Sequence, residues 1–307
     1  MDQSKGRGTF IISLDCEGKW GMADHLGPWH HEFLRREHLI PAYQTLVDLF
    51  GRYEMPATFA FVMGFVLDPD EQTEMAAHFV DTEIEGANWL VDFRKAQIAG
   101  DHEGWSCPEV LEVVRNASLK HEVACHGFTH VPLSEDLVGR DLVERELSAA
   151  KHVAEKRGIA LETLVYPRNL VGHTGVLAET GFSGYRQRPP VRGKAGALLA
   201  ELNPIDRSQL SLPKDGELTV VPSGEMLNWQ SGPRKLIPRA ASRLRWKARL
   251  EDAAKSGGVA HIWLHPHNII DAPGTLERLE DVLGEAARLR DAGKLVVKTQ
   301  AEYCAAP

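Results

Sequence analysis

The chain has 307 residues, of which 43% are hydrophobic and 25% charged, and a formal net charge of −8. That balance excludes a disordered chain, the negative charge argues against a nucleic-acid footprint, and no apolar run approaches the ~20 residues that cross a bilayer. Residues Met1 to Gly8 are polar, and the apolar run Phe10–Leu14 is too short for a signal-peptide core. Four scattered cysteines form no CxxC pair and read as reduced thiols. A cytoplasmic protein is expected. Histidine is the commonest metal ligand, so the 14 histidines, several of them clustered, are the first candidates for chemistry.

In chain order, Thr9–Leu14 reads as a strand buried on both faces. A helix follows over His38–Tyr53, then a strand over Pro56–Val62. The stretch 64–107, acidic and bearing Trp89 and Trp105, reads as inserted helices and loops. Glu122–Cys125 is a short strand, Ser134–Arg157 an amphipathic helix with Ser134 as its cap, and Leu161–Tyr166 a strand. Weaker strands fall at Phe182–Arg186 and Leu218–Val221, with an irregular excursion over Arg188–Lys214 between them. A basic helix over Arg234–Lys255, the strand Val259–Leu264, a helix over Leu276–Ala292 and the strand Leu295–Thr299 complete the chain. Alternating strands and helices imply crossover connections and one α/β domain with a parallel sheet, either a barrel or doubly wound.

The polar residues that need explaining end predicted strands: Asp15 and Glu17, His126, Arg168, and His265. In a parallel barrel those ends share the rim on which active sites are built. Asp15 and Glu17 face one side of an extended chain while Cys16 faces the other, toward the core. The two carboxylates either share a cation or are solvated acids of an ordinary turn. His126 and His130, spaced i,i+4, either ligate one metal or bond to backbone, and Pro132 confines them to a turn. Alternation puts His261, Trp263, His265 and His267 on one face. His265, before Pro266, is the functional candidate and His261 the core histidine, while His267 and Asn268 either reach a substrate or cap the loop. Arg168, beside Asn169, orients a carboxylate, grips an anion or makes a surface salt bridge. His25, His30 and His31, with Trp20 and Trp29, form either a sugar-stacking or a solvated loop.

Taken in order, Asp15-x-Glu17, His126-x-x-x-His130, Arg168 and Leu264-His265-Pro266 resemble the motifs of the polysaccharide deacetylases of carbohydrate esterase family four, over roughly residues 9 to 300. The resemblance implies a single-domain distorted (β/α)7 barrel and a metal-dependent hydrolase. It implies Asp15 as general base, Glu17, His126 and His130 as metal ligands, His265 as general acid, and Arg168 as the arginine that positions the base. The segments Tyr166-Pro167-Arg168-Asn169 and His265-Pro266-His267-Asn268 look like a bacterial subgroup associated with surface-polysaccharide (O-antigen or capsule) biosynthesis.

The expected cofactor is one divalent ion, zinc on ligand grounds. The expected partner is an N-acylated sugar or glycan intermediate losing acetyl or formyl, met by Trp20, Asn169, Trp229 and His267. Arg186, Arg188 and the stretch Arg234–Arg249 either attract its phosphates or form a solvated basic face. Neither nucleic acid nor a membrane span is expected, and an oligomer is compatible with the sequence. The competing readings are a metal-dependent amidohydrolase acting on a small non-sugar amide and a catalytically silent sugar-binding relative. Three departures from the family pattern stand out: Cys16 separates two acids that many members hold adjacent, Glu17 is one methylene longer than Asp, and Arg168 is not followed by the usual x-Pro, with no clean match to the family's Asp/Trp motif either.

Overall fold

The computed structural model describes residues 6–203, 205, 207–230 and 232–306. Gly8–Cys16 forms β1, and its apolar run is explained by its place at the centre of a parallel sheet, covered on both faces. The other strands are β2 (Thr58–Phe61), the hairpin β3 (Glu83–Ile84) and β4 (Ala87–Asn88), β5 (Glu122–Cys125), β6 (Thr163–Leu164), β7 (Gly184–Arg186), β8 (Thr219–Val221), β9 (Glu225–Met226), β10 (Val259–Leu264) and β11 (Leu295–Lys298). The main sheet runs β8-β7-β6-β5-β2-β1-β10-β9, and β11 pairs with the start of β1. All its ladders are parallel, so every strand ends on the same rim.

The two ends of that sheet are close along the chain. Only Pro222, Ser223 and Gly224 separate β8, which pairs with β7, from β9, which pairs with β10. The sheet therefore curls into a distorted β/α barrel. Gly224 sits at φ +66, and a Cβ there would lie 2.5 Å from the His261 carbonyl oxygen. This turn needs glycine.

Strand alternation then divides the side chains. Phe10, Ile12, Leu14 and Cys16 join the outer core beneath the helices, with Leu46, Phe50 and Phe59. Inside the barrel, Ile11 packs on Val221 and Val259, and Ala60, Ala124 and Val165 form a second small layer. Small residues there leave room for Ser13, Asp15, Arg186 and His261, all buried.

Several element boundaries differ from expectation. The helix expected from Ser134 begins at Arg140, because Ser134 heads a turn and extended Gly139 stands at the cap. The basic helix spans Arg239–Ser256, since Pro238, extended at φ −61 and ψ 142, ends the short 3-10 turn Gly232–Leu236 before it. The excursion after Arg188 contains the helix Lys194–Glu201. Segment 64–107 holds the β3–β4 hairpin and the helices Pro69–Glu74 and Val91–Ala99, with Trp89 and Trp105 buried in the main core.

Candidate metal centre

Asp15 and Glu17 leave the end of β1 on its inner side, both buried. Cys16 between them packs outward, as alternation requires. His126 follows β5 directly. The loop 126–130 is not a helical turn, for Gly127 and His130 both have positive φ, +81 and +61. A buried carboxylate shapes it: Glu146 accepts the Phe128 and Thr129 N–H groups at 3.0 and 2.8 Å and the Thr129 hydroxyl at 2.7 Å. Burial raises the Glu146 pKa to about 7 against those hydrogen bonds. The loop brings the two imidazoles together, although not by the helical spacing the sequence suggested.

Three donor atoms meet there. His130 Nε2 lies 3.1 Å from Glu17 Oε2 and 3.1 Å from His126 Nε2, and His126 Nε2 lies 3.5 Å from the same oxygen. Donors held by a tetrahedral divalent ion at bonds of about 2.0–2.1 Å stand about 3.3 Å apart, so these side chains already have the spacing of three ligands. The tautomer fits as well. His126 Nδ1 donates to the Val165 carbonyl at 2.7 Å, which leaves its Nε2 lone pair for the cluster. His130 Nδ1 is buried with no hydrogen-bond partner, and its ring lies over Trp89 at 6.2 Å. Burial pushes the Glu17 carboxyl up, but the imidazoles of His265, His130 and His126 together bring it well below its ordinary value. Burial outweighs Glu17 at His130 and lowers that imidazole. An ionised Glu17 beside a neutral His130 is the protonation state a metal requires.

Arg186, the last residue of β7, grips Asp15. Its Nη1 and Nη2 donate to the two carboxylate oxygens at 2.8 and 2.7 Å, and Nη2 also donates to Asn169 Oδ1 at 2.8 Å. Behind it, Nη1 donates to Ser13 Oγ at 3.2 Å, and Ser13 lies 2.8 Å from His261 Nε2, whose Nδ1 lies 2.7 Å from the Pro222 carbonyl. The donor roles run one way only: Ser13 O–H donates to Nε2, and Nδ1–H donates to Pro222. Burial, then the Arg186 charge, lowers the His261 pKa to about 3, so the ring is neutral. Burial pushes the Asp15 carboxyl up, but Arg186 and two imidazoles pull it further down, below its ordinary value.

This corrects the role given to Arg168. That side chain turns away to Asp24, 2.6 Å distant, and lies over Trp89 at 4.6 Å. The guanidinium on Asp15 belongs to Arg186, which is buried there and so is no free phosphate anchor. The rim rule that selected the other residues pointed to it too, since it ends the predicted strand Phe182–Arg186. Arg168 and Asn169 occupy the left-handed region at φ +54 and +55, a strained pair of the kind found at functional sites.

His265 follows β10 and places Nε2 3.4 Å from Glu17 Oε1. Its ring stacks on His267 at 4.8 Å and 18°. Asn268 caps the loop by accepting the His265 N–H at 3.0 Å. A cleft of about 450 Å³ opens over these residues. Asn169, Arg168, Trp229 and His267 line it, as do Trp29, His30 and Met226, which the sequence reading had left out of the site or undecided. Trp29 Nε1 donates to Asp271 at 2.7 Å, and its ring lies 5.8 Å from Trp229 and 5.7 Å from His267. Trp20 is the second correction. It is wholly buried against Phe79, Phe93 and Trp105, donates to the Trp105 carbonyl, and cannot meet a substrate.

No family model matches the sequence, and no curated protein does. Solved structures do. A protein from Mycobacterium smegmatis classed as a polysaccharide deacetylase superposes with a TM-score of 0.64 at 16% identity, over 99% of this chain and 91% of that one. A second protein so classed, from Pseudomonas aeruginosa PAO1, gives 0.57 at 13% identity, over 98% and 91%. PuuE allantoinase gives 0.55 at 13% identity, over 99% and 91%. The chain thus has the fold of the polysaccharide deacetylases, the distorted β/α barrel that its motifs implied.

Proposed function

We propose that the protein is a metal-dependent hydrolase that removes an N-acyl group, acetyl or formyl, from a sugar or glycan intermediate of surface-polysaccharide biosynthesis. One observation carries the reading. Glu17, His126 and His130 form a buried three-donor set at ligand spacing, bordered by an arginine-held carboxylate, Asp15, and an imidazole, His265. Those three residues would hold a divalent ion, zinc by the nitrogen-rich donor set, which would supply Lewis-acid polarisation of the acyl group.

The remaining chemistry belongs to the chain. Asp15, ionised and fixed by Arg186, accepts the proton of the attacking water. His265 Nε2 gives a proton to the departing amine. Trp29, Trp229 and His267 offer flat apolar faces to a sugar ring, and His25, His30 and Arg168 add polar contacts around the cleft. All four cysteines are free, three of them buried, which suits a reducing, cytoplasmic compartment.

The fold shared with an allantoinase supports a second reading, hydrolysis of a small cyclic amide. Release of acetate or formate from N-acyl sugars, set against ring opening of cyclic ureides, separates the two. Turnover of ureides alone overturns the sugar assignment, and turnover unaffected by Asp15→Asn overturns the site.

A further inference from the structure

We infer that the face carrying the exposed side chains of Val191, Leu199, Leu202, Leu236 and Leu244, beside the mouth of the cleft, docks on an anionic lipid surface, so that the substrate deepening the reading above is a lipid-linked N-acyl sugar. Among the described residues, every large apolar side chain that stands exposed, apart from Ile98, falls between Val191 and Leu244. Leu236 is 84% exposed and Val191 83%. A clustering of this kind is unlike the scattered apolar residues of an ordinary surface and marks an interaction site.

Three of these residues are brought together by packing. The buried ion pair Glu201–Arg245, at 2.9 Å, joins the helix Lys194–Glu201 to the helix Arg239–Ser256. Leu199 and Leu202 flank Glu201, and Leu244 flanks Arg245, so three exposed leucines edge the same helix junction. The face adjoins the cleft. Arg192 pairs with Glu225 at 2.8 Å, one residue before Met226 of the cleft wall, and Arg234 Nη1 lies 3.9 Å from the Met226 sulfur.

Charge identifies the occupant. The chain carries −8 overall, yet from Val191 to Leu244 eight Lys and Arg stand against five Asp and Glu. Glu201 and Glu225 are engaged by arginines, whereas Arg188, Lys235 and Arg243 are exposed. Exposed leucines among cations are the chemistry of an interfacial segment that inserts apolar side chains between anionic headgroups. A second copy fits worse, because a two-fold interface would set this positive face against itself. A face so placed holds the cleft near headgroup depth, where a sugar on a lipid carrier would be presented.

Docking is tested apart from catalysis. The protein is sedimented with vesicles of phosphatidylcholine alone and of phosphatidylcholine with phosphatidylglycerol, alongside Lys235→Glu/Arg243→Glu and Leu236→Ser/Leu244→Ser. Wild type is expected to bind the anionic vesicles and not the neutral ones. Reversing two charges is expected to weaken binding at least about 25-fold, at about five-fold per basic residue lost. Both double variants are expected to hydrolyse a water-soluble N-acyl sugar at the wild-type rate and a vesicle-borne lipid-linked one at least about ten-fold more slowly, since interfacial anchoring is what they lose. Absence of vesicle binding, equal binding to both vesicles, or wild-type self-association that the leucine variant abolishes overturns the proposal. Vesicle binding without turnover of any N-acyl sugar overturns the deacylase reading instead and leaves the docking face standing.

Discussion

Arg186 holds both oxygens of Asp15, at 2.8 and 2.7 Å, with both side chains buried. Removing one partner of such a pair leaves a charge without compensation, at about 3–5 kcal/mol. Arg186→Met is therefore expected to lower stability by that order and to reduce kcat at least ~10²-fold, the low end for loss of a general base. Arg186→Lys keeps the charge but not the fork and should fall between. Arg168→Met, whose partner Asp24 is half-buried at the surface, should change stability by less than about 1 kcal/mol. Denaturant unfolding and steady-state rates on the three variants check the order, and an Arg168 variant that loses more than the Arg186 variants would return the positioning role to Arg168.

The ligand set makes a separate prediction. Glu17→Ala, His126→Ala and His130→Ala each remove one of three donors at ligand spacing and are expected to come out of purification without the divalent ion. Asp15→Asn and His265→Ala are expected to keep it while losing turnover. Elemental analysis distinguishes the groups. Full occupancy in the first three would mean that the cluster is not the metal site.

How the sequence led to this site, and where it misled, follows from the geometry. Strand ends were legible because a parallel sheet puts every C-terminal end on one rim, and Asp15, Glu17, His126 and His265 all lie there. Arg168 lies there too, but its left-handed backbone at φ +54 turns the side chain toward Asp24. A single sequence carries no signal for that. Trp20 looked like a loop residue because the buried aromatic partners Phe79, Phe93 and Trp105 come from a segment far along the chain. Gln209, which bonds Ser223 and Gly224 at the β8–β9 turn, was hidden for the same reason: it is a long-range contact with no local pattern.

Glu146 carries a third prediction. It touches none of the donors through their ring atoms, yet its oxygens organise the loop between them. Outer partners of a metal site typically contribute 10–100-fold to affinity. Glu146→Ala removes all three of these acceptor contacts, and a loss of metal affinity of about that size is expected. Competition with a chelator measures it. Unchanged affinity in a folded variant would make Glu146 a matter of stability alone.

Acid stability gives the last. His261 is wholly buried, with its pKa lowered to about 3, and burial lowers that of His121 to about 4. In the unfolded chain both titrate near the ordinary value of about 6.5. Between those limits the unfolded state binds more protons than the folded one, so stability rises with pH through that window and is lost as pH falls below about 6.5. Each histidine contributes a slope of up to about 1.4 kcal/mol per pH unit while it is charged unfolded and neutral folded. His261→Asn removes its own slope. It also leaves Ser13 a different acceptor, so its stability at neutral pH is expected to fall by about 1–3 kcal/mol while its dependence on pH between 6 and 4 becomes shallower. Denaturation midpoints of wild type and variant across that range test both parts. Parallel curves would mean that His261 is charged in the folded protein, and the direction of the hydrogen-bond chain from Arg186 through Ser13 to Pro222 would then have to be reversed at the imidazole.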